Sequence, residues 1–181
     1  RKNNIDYDTY EKVKQIKTGF SWNYKKSENS FVDSYFFYQN RDFLSKLPFN
    51  YGGIITLDRN YYGLGTKYTK NSSFENRKRT LVLGIDHLNQ SDDRRRHKNE
   101  FGNKGEITLD QKEQFKTTGV YLLNQASYSS GLLLRYGIRY DINNIGIHSD
   151  FVKLDKLNPS FGLSYSVSSR DNIFFSFGTS F

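Results

Sequence analysis

The sequence predicts an all-β chain: about eight long antiparallel strands forming a segment of a transmembrane β-barrel wall. Three observations predict it. Between residues 131 and 181 apolar and polar residues alternate with a period of two over spans longer than an ordinary soluble strand. Leu132, Leu134, Tyr136, Ile138, Tyr140 and Ile142 take one parity there, and Leu133, Arg135, Gly137, Arg139 and Asp141 take the other. Connections between such segments alternate between short and long. No run approaches the roughly 18 consecutive apolar residues of a membrane-spanning helix, and the mean hydropathy is −0.77. Because strand side chains alternate faces, each segment presents one apolar and one wet side.

The first strand covers residues 13–25, where Ile16, Thr18, Phe20, Trp22 and Tyr24 alternate with Gln15, Lys17, Gly19, Ser21 and Asn23. Ser27, Glu28 and Asn29 then make a tight turn. The second strand, residues 30–42, is apolar on both parities through Phe31, Val32, Tyr35, Phe36, Phe37 and Tyr38, so its facing stays open. In the third, residues 53–70, Ile55 and Leu57 lie on one parity while Tyr62, Leu64 and Tyr68 lie on the other. A β-bulge around residues 60–63 would switch the face in that way. The fourth, residues 77–90, carries Leu81, Leu83 and Ile85 on one side, and the fifth, residues 114–128, carries Val120, Leu122 and Ala126. After the sixth strand, described above, the seventh sets Phe161, Leu163, Tyr165 and Val167 against Ser160, Gly162, Ser164, Ser166 and Ser168. The eighth sets Ile173, Phe175 and Phe177 against Asn172, Ser176 and Gly178.

Short connections fall at residues 26–29, 71–76, 127–130 and 168–171, and longer ones at 43–52, 91–113 and 143–158. Transmembrane barrels have short periplasmic turns and longer extracellular loops, so the alternation implies an orientation. Arg1 and Phe181 are then both expected on the extracellular side. A complete bacterial barrel normally begins and ends in the periplasm, so eight consecutive strands cut from a larger barrel are expected. The lack of Met and of an apolar signal core at the N-terminus fits a processed or excised piece.

Aromatic residues make up 17% of the 181 residues, with 14 Tyr and 15 Phe and no Cys, which excludes a disulfide or thiolate-metal framework. A net charge of +8 would suit a phosphate polymer. Against that, Lys and Arg are dispersed, the aromatics follow strand parity, and no recognition helix or ribonucleoprotein-type motif is visible. Nucleic acid is therefore not an expected partner, whereas lipid phosphates would meet a basic belt on an outer-membrane protein.

Two stretches go beyond patterning. Leu157, Asn158, Pro159, Ser160, Phe161, Gly162, Leu163, Ser164 and Tyr165 precede an aromatic strand running from Asp171 through Gly178 to Phe181. Earlier come Gly84-Ile85-Asp86, Asp92-Asp93-Arg94, Gln111, Thr118-Gly119-Val120-Tyr121 and Gly137-Ile138-Arg139-Tyr140-Asp141, in that order. These resemble the strands of TonB-dependent outer-membrane receptors over residues 81–181, while residues 1–70 match only in strand pattern. The resemblance implies that residues 1–181 are part of one β-barrel domain of the larger, 22-strand type in the bacterial outer membrane. It implies uptake of a ferric siderophore or a similar scarce nutrient, driven by TonB through a plug domain and coupling box that this sequence does not resemble anywhere. The family's final strands are likewise not represented. No enzymatic activity and no cofactor is implied, iron entering only inside the transported chelate.

Arg94, Arg95, Arg96, His97 and Lys98 form the densest charge cluster, in the longest expected extracellular loop. Clustered positive charge steers anions, which makes these five the candidate ligand contacts. A solvated loop balanced by Asp92, Asp93 and Glu100, or one touching lipopolysaccharide phosphates, is the competing explanation. Arg135, Arg139 and Asp141 share the wet parity, so they are expected to point into the lumen, where the resemblance would set them against the plug. A plain hydrated wall explains them equally. Trp22, Tyr24, Tyr136 and Tyr140 are candidates for interfacial aromatic girdles, and Gly84, Gly119, Gly137 and Gly162 for relief of sheet curvature. His87, His97 and His148 are too scattered for a metal site, and no catalytic triad or phosphate loop is present. Two other functions fit the patterning alone: a small outer-membrane porin or barrel enzyme, and a soluble β-sandwich binding module.

Overall fold

The computed structural model describes residues 2–180. A one-turn helix, α1 (Lys2–Asp6), precedes eight strands: β1 (Tyr10–Ser27), β2 (Ser30–Lys46), β3 (Ile54–Phe74), β4 (Arg77–Glu100), β5 (Asn103–Tyr128), β6 (Leu132–Ile147), β7 (Asp150–Ser166) and β8 (Asn172–Gly178). They form one sheet in sequence order, each strand antiparallel to the next, and β1 does not pair with β8, so the sheet is open. The expectation placing Arg1 and Phe181 on the loop side falls on residues outside the described ones. No helix among the described residues is long and apolar enough to cross a membrane, which leaves any crossing to strands.

Alternation makes these strands, and pairing keeps them in phase. One line across the sheet passes through Tyr24, Val32, Tyr68, Leu83, Leu122, Ile138 and Pro159, each directly opposite the next. Partners opposite one another share a face, so this line marks a continuous apolar face. A second line passes through Ser21, Tyr35, Gly65, Asp86, Gly119, Asp141 and Lys156, on the other face. The open question of β2 is settled by its neighbours: Val32, Phe36 and Tyr38 stand on the apolar face, and Phe31, Tyr35 and Phe37 on the polar one.

Three expectations need correction. The pairings of β3 with β2 and with β4 run without a register shift, so no bulge lies at residues 60–63. Ile55 and Leu57 sit on the polar-face parity because they lie past the end of the apolar band, where no lipid dictates which side is apolar. The longest expected loop, residues 91–113, is mostly strand: β4 and β5 continue as a hairpin that turns at Phe101 (φ 48°) and Gly102 (φ 89°). Two consecutive left-handed residues match the right-handed twist of the strands they join. The connection at 143–158 is a hairpin too, turning at His148 (φ 54°). Of the three long connections expected, that between β2 and β3 remains a loop, at residues 47–53. Interstrand hydrogen bonds need no apolar side chain, so pairing continues through Asn, Gln, Arg and Asp after hydrophobic alternation has stopped.

The sheet has no second layer. Ile54 and Ala126 are the buried hydrophobic residues among those described, whereas Phe20, Trp22, Leu83, Val120, Ile138 and Phe175 stand exposed on one face. A β-sandwich would bury that face against another sheet, and the described residues form only one. Burying one such side chain is worth about 1.5–3 kcal/mol, so covering this face with apolar material is strongly favoured.

In the full-length protein refolded into lipid vesicles, Ile138→Arg should cost about 2–4 kcal/mol, as expected for a cation on a lipid-facing strand. Ser160→Arg, one strand away on the polar face, should cost less than about 1 kcal/mol. Denaturant unfolding of both variants checks this, and equal losses would refute the assignment of faces.

Candidate functional site

The polar-face line alternates large side chains with glycine, and that spacing creates the first cluster. A Cβ at Gly65 would meet the Tyr35 ring and Asp86 Oδ1, and one at Gly119 would meet the Arg139 guanidinium and Asp141 Oδ1. These glycines are floor space over which neighbouring side chains lie flat. Tyr35 donates its hydroxyl to Asp86 Oδ1 at 3.0 Å, and Arg139 Nη1 donates to Asp86 Oδ2 at 3.2 Å. Arg139 Nε also donates to Asp141 Oδ1 at 2.8 Å and to Oδ2 at 3.0 Å, while Asn158 Nδ2 reaches Asp141 Oδ2 at 3.3 Å. The guanidinium carbon lies 5.4 Å from the centre of the Tyr121 ring, a cation–π distance. Side chains from β2, β4, β5, β6 and β7 are thus tied together. Cavities of about 380 Å³ and 360 Å³ flank this cluster, both bordered by Asp86 and Tyr121.

A second set of ion pairs occupies the long-hairpin end. Arg59 grips Asp92 through Nε at 2.8 Å and Nη2 at 2.6 Å, and Gln90 adds a third donor at 3.0 Å, so this carboxylate is saturated although only 1% exposed. Arg94 pairs with Glu113, Arg95 with Asp93 and Asp110, and Lys98 with Glu106. Asn99, fully buried, joins three segments. Its amide donates to the carbonyls of Tyr7 and Leu47 at 2.9 and 3.0 Å, and its Oδ1 accepts from the Gly102 amide at 2.8 Å.

The five cationic candidates do not form one patch. Arg94 and Arg96 stand on the polar-face parity and Arg95 on the opposite one, because all three lie in regular pairing with β5. The strand register shifts just beyond them, at His97. His97 is buried, and burial first, then the charges of Lys104 and Arg95, pushes its pKa below the usual 6.5. Lys98 and Glu106 stabilise each other's charged forms through their hydrogen bond: the Lys98 pKa is raised and that of Glu106 lowered. Arg135, Arg139 and Asp141 share the polar face, but they separate there: Arg139 and Asp141 belong to the five-strand cluster, whereas Arg135 bonds Gln125 at 2.7 Å. Trp22 and Tyr24 stack obliquely, 5.9 Å apart, near the short-turn end of the apolar face. Tyr140 lies in the same cross-strand row as Trp22 and donates to Asp155 at 2.6 Å. Tyr136 stands on the same face, nearer the short turns. Sequence reading missed Asp86, Tyr35 and Asn99 as hubs. The one available signal was the Gly-x-Asp of residues 84–86, whose Asp86, like Arg139, stands on the polar parity of its own strand.

One apolar face unbroken across eight strands, a polar face bearing paired charges, and hairpins lengthened at one end define the wall of a membrane β-barrel. The sequence profile of the family described as "TonB dependent receptor-like, beta-barrel" matches residues 1–181, and the chain belongs to that family. Solved structures agree in fold. The ferric citrate transporter FecA in its unliganded form superposes with a TM-score of 0.70 at 12% identity, over 92% of this chain and 27% of that one. BauA, the ferric preacinetobactin receptor from Acinetobacter baumannii, gives 0.73 at 10% identity, over 91% and 30%. The ferric-catecholate import receptor Fiu from E. coli K12 gives 0.71 at 9% identity, over 94% and 36%. This chain therefore spans roughly a third of the length of the solved structures it matches. The family is one of outer-membrane receptors and transporters rather than enzymes. No group of three or more His, Cys, Asp or Glu among the described residues could hold a metal ion.

Two outcomes are expected from this geometry. Gly119→Ala should destabilise the full-length receptor by about 1–3 kcal/mol, because the new Cβ displaces Arg139 and Asp141. Gly162→Ala, where the nearest atom to a Cβ is 3.7 Å away, should fall within about 0.5 kcal/mol of wild type. Unfolding midpoints in denaturant distinguish them, and indistinguishable midpoints would refute the floor-space role. His97 has a folded pKa below its unfolded value, so the stability it contributes is present above pH 6.5 and is lost as pH falls from there through the folded pKa. Glu106, whose pKa is lowered from 4.5, contributes stability that is lost only below that value. Amide exchange in the β4–β5 hairpin, corrected for intrinsic rates, should accelerate between pH 7 and pH 5, and His97→Gln should flatten that change. A pH response unaltered by His97→Gln would exclude this histidine as its source.

Proposed function

We propose that residues 1–181 form part of the barrel domain of a bacterial outer-membrane receptor that imports a ferric siderophore or a similar scarce nutrient with energy from TonB. The observation that carries this reading is the register-locked separation of apolar and polar faces, combined with hairpins extended at one end only. On this reading the apolar face meets outer-membrane lipid and the polar face lines the lumen. The β4–β5 hairpin rises on the extracellular side, beside lipopolysaccharide. Family membership supports TonB as the energy source, coupled through a plug and coupling box outside this chain. The neighbours named for ferric citrate, ferric preacinetobactin and ferric catecholates support a ferric chelate as cargo.

Arg139 and Asp141, with Arg135 nearer the short turns, would then face the plug. Their mutual pairing lets a second domain slide past without meeting bare charge. Among Arg94, Arg95, Arg96, His97 and Lys98, the polar-face parity favours Arg94 and Arg96 as ligand contacts, and Arg96 makes no ion pair among the described residues. Arg95 and Lys98, each already held by carboxylates, would stabilise the hairpin that carries them.

Deletion of the gene in its native host, followed by growth and radiolabelled-iron uptake on a panel of ferric chelates in iron-restricted medium, tests the reading. At least one chelate should lose uptake in the deletion strain and equally in a strain without TonB. Unchanged uptake across the panel in both strains would overturn the iron-chelate assignment.

A further inference from the structure

Deepening the transport reading, on which it rests, we infer that Arg41 is an anion contact at the outer mouth of the polar face and that the imported chelate carries net negative charge. Arg41 belongs to a row of directly opposed residues, Gln15, Arg41, Arg59, Asp92 and Glu113, contributed one each by β1 to β5. Two arginines opposite each other repel, and such a pair destabilises a sheet unless something neutralises it. Asp92 neutralises only Arg59, whose guanidinium it binds through both oxygens. Glu113 is engaged by Arg94. Arg41 has no ion-pair partner among the described residues, and its Nε is buried without a hydrogen-bond acceptor. The Phe43 ring, 5.7 Å from the guanidinium carbon, orients this group without neutralising it.

Position says what kind of partner is missing. The apolar face ends near Tyr38, whose hydroxyl donates to Asn60 at 2.7 Å. Just beyond, that outward face carries Asp42 opposite Asp58, a pair no hydrocarbon would accept. Arg41 lies three residues past Tyr38, about 10 Å along the strand, on the polar face and outside the lipid belt. A solute entering from the mouth reaches it early. The terminal nitrogens of this planar guanidinium make no hydrogen bond among the described residues and, unlike Nε, are not buried; such a pair recognises carboxylate-like or catecholate-like oxygens together, and Arg94 and Arg96 on the same parity add to the attracting field. The rival partner is a carboxylate from a part of the receptor outside this chain.

The test uses the purified full-length receptor and its Arg41→Gln and Arg41→Lys variants. Affinities are measured calorimetrically for ferric citrate, for an anionic ferric tris-catecholate and for an uncharged ferric tris-hydroxamate, at low and high salt. At least one anionic chelate should bind, and Arg41→Gln should weaken it by about 10- to 100-fold. Arg41→Lys should recover part of that loss, and the difference from wild type should shrink at high salt. Unchanged anion affinity in Arg41→Gln would overturn the inference, as would wild-type binding of the uncharged chelate alone. A parallel fall in thermal stability and in every affinity would overturn it too, by assigning Arg41 to a carboxylate elsewhere in the receptor. All three outcomes leave TonB-dependent chelate uptake standing, whereas loss of that dependence in the growth assay would remove the transport reading itself.

Discussion

Within a bilayer every backbone N–H and C=O must find a partner in the protein, because hydrocarbon offers none. In a sheet that partner is the adjacent strand, and a slip of one residue would turn a whole strand's apolar side chains to the wrong face. Register is therefore the constraint on which the rest of this structure depends. Pairing runs unshifted through the apolar band on all seven ladders. The shifts that do occur, at Lys25/Ser27 and around His97, lie at strand ends outside the band. Irregularity is tolerated where water can satisfy the backbone.

The same register builds the polar face. Opposed residues share a side, so a glycine on one strand leaves room for its neighbour's long side chain, and the sequence Tyr35, Gly65, Asp86, Gly119, Asp141 becomes a row of alternating floor and furniture. Arg139 lies across that row and holds two carboxylates. That pairing leaves little bare charge on the polar face around it. At the extended end Asp92 holds Arg59 and Glu113 holds Arg94, while Arg41 and Arg96 on the same face make no ion pair among the described residues.

Most of the fold was legible because a period of two is hard to produce by accident. Strand number, phase and short turns follow from it, as does the shared face of Arg135, Arg139 and Asp141. Strand length was not legible beyond residues such as Gln90 and Asn143, where hydrophobic alternation ends but hydrogen bonding continues. The apparent face switch at Ile55 and Leu57 has the same origin, since outside the lipid belt an apolar side chain is free to take either side. Asp86 was readable as part of a motif, yet its partners Tyr35 and Arg139 lie 51 and 53 residues away, and no local pattern links them. Asn99 carried no signal at all. Its importance comes from three backbone segments meeting at one amide.

Sequence by itself determined the two faces of this protein. Alternation made one face apolar and one polar, and the unequal connections distinguished the two ends, because side-chain polarity is a local property that each residue carries wherever the chain goes. Tertiary structure decided which charges meet. Pairing across strands placed Arg59 on Asp92, Arg139 between two carboxylates and Arg95 on the opposite face from Arg94, and it left Arg41 unneutralised. Those outcomes depend on distances between residues far apart in sequence, which only the register of the assembled sheet sets.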